Sequence, residues 1–115
     1  MAPHESTLRA LYAAFNTRDV ETVLAALAED VDWPNGMDGT RVHGKAAVRA
    51  YWLNQWTVID PSVEPGAMVE REDGATSVEV HQVVRDMNGT RLNERVLTHA
   101  YWFENGLVTR MEIEA

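Results

Sequence analysis

The sequence predicts an α+β chain in which three helices fill the N-terminal half and an antiparallel meander fills the rest. Three observations carry this reading. Apolar residues recur at a helical period as far as Trp56, the period changes to two after Pro61, and two Asn-Gly pairs punctuate the alternating stretch as hairpin turns. A chain of 115 residues has room for one core, so residues 1–115 are read as a single domain.

Leu8, Leu11, Tyr12 and Phe15 lie at i, i+3, i+4 and i+7, with Ser6 or Thr7 available as the N-cap, and this spacing predicts an amphipathic helix. Asp19 can cap a second helix, because Val20, Val23, Leu24 and Leu27 repeat the spacing until Glu29-Asp30. Val31-Asp32-Trp33 then reads as a short strand, Pro34-Asn35-Gly36 as a turn, and the stretch through Gly39 as a loop. His43-Gly44 precedes a third helix whose shared face, Val48, Tyr51, Trp52 and Trp56, is unusually aromatic. In the meander, Val63, Met68 and Val69 form a first strand that Pro65-Gly66 interrupts, which predicts an edge or a bulge. Strands over Thr76 to Arg85, Leu92 to Phe103 and Leu107 to Ile113 follow, joined at Asn88-Gly89 and Asn105-Gly106.

Composition narrows the class of function. Ten basic residues against eighteen acidic ones set the formal charge at −8, which opposes binding to phosphate backbones or anionic lipid surfaces. No cysteine is present, so disulfides, thiolate metal sites and cysteine nucleophiles are excluded. No apolar run approaches the roughly 18 residues of a membrane span, and Met1 to Thr7 has no export pattern, so a cytoplasmic location is expected. The four histidines show no helical i, i+4 pair and no clustered carboxylates, and the glycines form no phosphate loop; neither metal nor cofactor is expected.

A regular two-residue turn at Asn105-Gly106 sets the pairing by a constant index sum, so that Phe103 faces Val108, Ala100 faces Met111, Thr98 faces Ile113 and His99 faces Glu112. One sheet face then carries Leu97, His99, Tyr101 and Phe103, and the other Val96, Ala100, Trp102, Met111 and Ile113. Two apolar faces need two covers: the helices, and a second subunit. His99 beside Glu112 can be a polar pair at the rim or interface, or a carboxylate that fixes an imidazole's tautomer and raises its basicity. The set Tyr12, Phe15, Trp33, Trp52 and Trp56 reads as core, yet four tryptophans are many for this length, and some should line a cavity suited to a flat apolar ligand.

The element order, the segment Leu11-Tyr12-Ala13-Ala14-Phe15-Asn16-Thr17-Arg18-Asp19, the segment Val42-His43-Gly44-Lys45-Ala46-Ala47-Val48 and the ending Tyr101-Trp102-Phe103-Glu104-Asn105-Gly106-Leu107-Val108 resemble the nuclear-transport-factor-2-like superfamily. Within it the chain looks most like SnoaL-like polyketide cyclases and ketosteroid isomerases. The resemblance implies a cystatin-like α+β roll: a curved antiparallel sheet wrapped by the three helices into a cone. It also implies an apolar pocket at the open end and a homodimer through the outer sheet face. The implied ligand is a small, polyketide- or steroid-like apolar molecule, and the implied chemistry is isomerisation or cyclisation without a cofactor. The steroid-isomerase tyrosine position matches Leu11, with Tyr12 one residue on; its base position falls near Trp33 to Asn35, where Asp32 is the only carboxylate; its buried acid falls on His99 or Thr98. The cyclase pattern puts an acidic residue at Glu112 and a histidine at His99, implying His99 as acid or base, Glu112 as its orienting partner, and Tyr12 or Tyr101 as the enolate stabiliser. A limonene-epoxide-hydrolase-like arginine between two aspartates would find only Arg95. The alternative reading is a noncatalytic ligand-binding or assembly module of the same fold.

Overall fold

Leu8, Leu11 and Tyr12 are buried along one face of the first helix, α1 (Glu5–Asn16), and Asp19 starts the second, α2 (Val20–Ala25), by accepting the Thr22 N–H. The computed structural model describes residues 4–35 and 38–114. Strands β1 (Leu27–Pro34) and β2 (Arg41–His43) precede the third helix, α3 (Lys45–Val58), and the chain ends in β3 (Ile59–Glu70), β4 (Thr76–Asp86), β5 (Arg91–Glu104) and β6 (Leu107–Glu114). The six strands form one curved open sheet in the order β2-β1-β6-β5-β4-β3, with β1 parallel to β6 and every other pair antiparallel. The core joins Leu8, Leu11 and Tyr12 of α1 and Val48 and Trp52 of α3 to Val63, Val78, Val80, Tyr101 and Met111 of the sheet. None of the described helices is long and apolar enough to cross a membrane.

Local differences from the sequence reading have physical causes. The second helix stops at Ala25 rather than at Glu29-Asp30, because Leu27 opens β1 opposite Val108, whose N–H donates to Ala26 O at 2.9 Å. Sheet pairing there outweighs the helical period, since Leu27, Val31 and Trp33 are all buried on the strand. Helix α1 begins before Ser6 and Thr7 and takes no side-chain cap. His4 stacks on Phe103 with ring centroids 3.8 Å apart. The expected loop ends at Gly39; β2 follows it, before α3, and its Val42 pairs with Trp33. Gly36 of the expected Pro34-Asn35-Gly36 turn lies outside the described residues.

Strand β3 is an edge, as its prolines predict, and its register shifts between Pro65 and Met68. Helix α1 is tied along this edge. The Asn16 side chain donates to Val63 O at 2.7 Å and accepts from Val63 N at 2.9 Å, Arg18 donates to Pro61 O at 2.6 Å, and Arg9 donates to Gly66 O at 3.2 Å.

The main correction lies in the last hairpin. Asn105 and Gly106 both have positive φ, 53° and 80°, and Phe103 pairs with Val108 as expected. The register then shifts by one residue: Trp102 pairs with Arg110 and leaves Thr109 as the extra residue of a bulge, its Oγ1 donating to Trp102 O at 3.2 Å. Beyond it His99 faces Ile113, Ala100 faces Glu112, Tyr101 faces Met111 and Thr98 faces Glu114. The expected pairing of His99 with Glu112 is therefore absent. A one-residue slip also exchanges the sheet faces, so Met111 and Ile113 stand on the side of His99 and Tyr101, and Glu112 on the other.

Candidate functional site

Alternation along β5 places Asn93, Arg95, His99 and Tyr101 on the concave face, and β4 adds Gln82 and Val84 beside Arg95 and Asn93. Helix α1 contributes Leu11, Tyr12 and Phe15, and α3 contributes Tyr51, Trp52 and Gln55. Together with Trp33, Met111 and Ile113 these side chains enclose an open cavity of about 290 Å³. No carboxylate is among the described residues that line it, and Arg95 is the one formally charged side chain there.

The aromatic wall is built by edge contacts. Trp33 meets Trp52 at a centroid distance of 5.2 Å, Phe15 meets Trp52 at 5.7 Å, and Trp33 meets Tyr101 at 6.2 Å. Of the residues singled out in the sequence, Tyr12, Phe15, Trp33, Trp52, Tyr101 and His99 line the cavity. Trp56 stands behind the wall, stacked on Trp52 and with the Arg18 guanidinium 5.2 Å from its ring centroid. Glu112 lies away from the cavity, bonded to Arg110 and 3.9 Å from Arg41 Nη1.

The polar centre of the cavity is a chain of three side chains. Tyr101 OH donates to Tyr12 OH at 2.8 Å, and Tyr12 OH lies 2.8 Å from His99 Nδ1. Their relative exposures are 1%, 2% and 6%, so water does not compete for these groups. Because the Tyr12 oxygen already accepts from Tyr101, its own proton points to Nδ1, and the neutral imidazole carries its proton on Nε2. His99 Nε2 has no partner among the described residues; Trp56 Nε1 is the other buried side-chain nitrogen without one. Burial holds the His99 pKa down at about 4 and pushes both phenols well above their ordinary range. At neutral pH the chain is uncharged and ends in an imidazole N–H donor. Once a ligand has parted the side chains that close over Nε2, such a donor can bind a carbonyl oxygen and strengthen its hold as negative charge builds there.

The sequence reading missed Gln55, Gln82, Asn93 and Arg95 as cavity residues. The alternation that placed His99 and Tyr101 on one face of β5 also places Asn93 and Arg95 there, and that signal was available. No His, Asp or Glu cluster among the described residues has the geometry to hold a metal ion.

A family model described as SnoaL-like domain matches residues 8–111. An NTF2-like protein of unknown function from Burkholderia pseudomallei is 32% identical over 99% of this chain and 91% of its own, with a TM-score of 0.84. TerC, co-crystallised with polyporic acid, is 27% identical over 97% of this chain and 90% of its own, with a TM-score of 0.83. A Mycobacterium tuberculosis protein in complex with estradiol-17β-hemisuccinate shares the fold at 20% identity, covering 98% of this chain and 93% of its own, with a TM-score of 0.82. No curated protein matches the chain.

Proposed function

We propose that this chain, which belongs to the SnoaL-like domain family of the nuclear-transport-factor-2-like superfamily, binds a small, flat, apolar carbonyl compound in its cone and assists its isomerisation or cyclisation without a cofactor. The observation that carries the reading is the buried chain from Tyr101 through Tyr12 to His99, ending in an unpartnered Nε2 on a ring that lines an aromatic cavity. TerC, at 27% identity, was crystallised with a small molecule, which supports the same use of the cone.

In this proposal His99 is the catalytic residue and Tyr12 its positioning residue. Tyr12 holds the imidazole in the tautomer that donates from Nε2, the orienting part that the sequence reading gave to Glu112. As a water molecule in the open cavity takes a proton from the carbon beside the carbonyl, charge develops on the carbonyl oxygen, and a fixed donor in an apolar site stabilises it more than water would. Complete transfer of the imidazole proton is disfavoured, because it would leave a buried anion on His99 or on one of two phenols that burial already keeps neutral. His99 therefore acts by donating a hydrogen bond.

The absence of a carboxylate among the described lining residues favours a second reading, a binding module without turnover. Both readings meet in one experiment with 2-acetylnaphthalene in D₂O. Quenching of tryptophan fluorescence reads binding, and NMR reads exchange of the methyl protons beside the carbonyl. The catalytic reading expects binding with accelerated exchange in the wild type, and binding without acceleration in His99→Phe. Binding without acceleration in the wild type would leave the noncatalytic reading standing, and no binding at all would overturn both.

The same proposal takes the protein as a cytoplasmic homodimer joined through the outer sheet face, where Val69 and Val96 are 57% and 62% exposed.

A further inference from the structure

We propose that Arg95 is an anion anchor at the cavity mouth, so that the preferred ligand is a flat apolar body carrying a carboxylate. This deepens the binding reading above and rests on it.

Seven of the nine arginines hold a carboxylate: Arg9, Arg18, Arg41, Arg49, Arg71, Arg91 and Arg110 all have one within ion-pair distance. Arg85 and Arg95 have none among the described residues, and of these two only Arg95 lines the cavity. In a chain of net charge −8, a guanidinium left unpaired beside an apolar chamber is an exception to the surrounding pattern. Its cost is small while it stays exposed, and its five donors remain available to an incoming acceptor.

The surroundings reinforce the sign. A second hollow adjoins the cavity and shares Pro34, Arg95 and Ile113 with it; Arg41, Arg110 and Glu112 line its far side. Asp32 and Glu112 are the carboxylates engaged by Arg41 and Arg110, so the rim carries three guanidiniums against two carboxylates. Asp32 and Glu112 are already committed, which leaves the Arg95 charge uncompensated.

Geometry then sets the shape of the ligand. Arg95 and His99 share the concave face of β5 four residues apart, about 13 Å between Cα atoms along an extended strand. A planar molecule laid along β5 could present a carbonyl to His99 and a carboxylate to Arg95, with its rings against Trp33 and Trp52. Neutral analogues would keep the apolar contacts and lose the charged one.

The test uses 2-naphthoate and its methyl ester as probes, with affinity read by calorimetry for wild type, Arg95→Gln and Arg95→Lys at low and high salt. Arg95→Gln should bind naphthoate about tenfold more weakly, the size of one charge-assisted contact at a solvated mouth, and bind the ester as the wild type does. Arg95→Lys should keep most of the naphthoate affinity, and salt should weaken naphthoate but not the ester. Equal loss for acid and ester in Arg95→Gln, or no loss for either, would overturn the anchor while leaving the cavity reading in place. If neither probe binds the wild type, the cavity reading itself falls and the anchor falls with it.

Discussion

Acidification from pH 7 to 4.5 should unload stability through His99. In the folded chain the imidazole is buried, Tyr12 donates to its Nδ1, and among the described residues the only charged side chain lining the same cavity is a cation, Arg95. Nothing there favours the imidazolium. The folded pKa is lowered from 6.5 to about 4, so between those values the unfolded chain holds one proton more than the folded chain. The contribution of His99 is therefore complete above about pH 6.5 and is lost as pH falls toward 4. At about 1.36 kcal/mol per pH unit the whole interval amounts to about 3 kcal/mol, a large share of the 5 to 15 kcal/mol typical of a small domain. Urea unfolding of wild type and His99→Gln at several pH values isolates the effect. Asp38, Asp73 and Glu94, whose partners hold their pKa values down, titrate alike in both proteins and cancel in the difference. The wild type should lose stability more steeply than the variant below pH 6.5. Parallel curves over this range would refute the claim that the imidazole is held neutral by burial.

Two further outcomes follow from the same geometry. Tyr12→Phe removes the hydroxyl shared by Tyr101 and His99 and leaves two buried polar groups without partners, so urea unfolding should show a loss of about 2 to 4 kcal/mol, with tryptophan fluorescence and circular dichroism confirming that the variant still folds. Light scattering should give the mass of a dimer for the wild type, and Val96→Glu should shift it toward the monomer, because a charge at the centre of the outer face would have to be desolvated on association.

The element order was legible because each part of it rests on a strong local signal. Asp19 caps α2 in the structure, the prolines of β3 mark an edge with an irregular register, and both Asn-Gly pairs turn hairpins. Phe15 and Trp52 reached the cavity wall because an aromatic stripe at helical spacing has to be buried somewhere, and Trp33 reached it from the strand β1. The register of β5 against β6 was not legible. A bulge at Thr109 carries no glycine to announce it, and it turns every later side chain of β6 to the opposite face. That single residue moves Glu112 away from His99 and brings Met111 and Ile113 into the cavity. The partner that His99 does have, Tyr12, comes from α1, 87 residues earlier in the chain. Strand arithmetic cannot reach across that separation; it is set by how α1 docks on the sheet.

The docking of α1 on β3 also bears on how copies of this protein can meet. A twelve-residue border strand with free amide groups would invite a neighbouring chain to extend the sheet, a route to fibrils. Before the register shift the outward donors fall at positions 61, 63 and 65: two are prolines with nothing to donate, and the third is occupied by Asn16. Arg9 and Asn16 of α1 and Arg18 just after it take outward carbonyls on the same border, so the helix and its exit act as a stopper on that stretch of the ladder. Growth by strand addition is blocked along that first half of the margin.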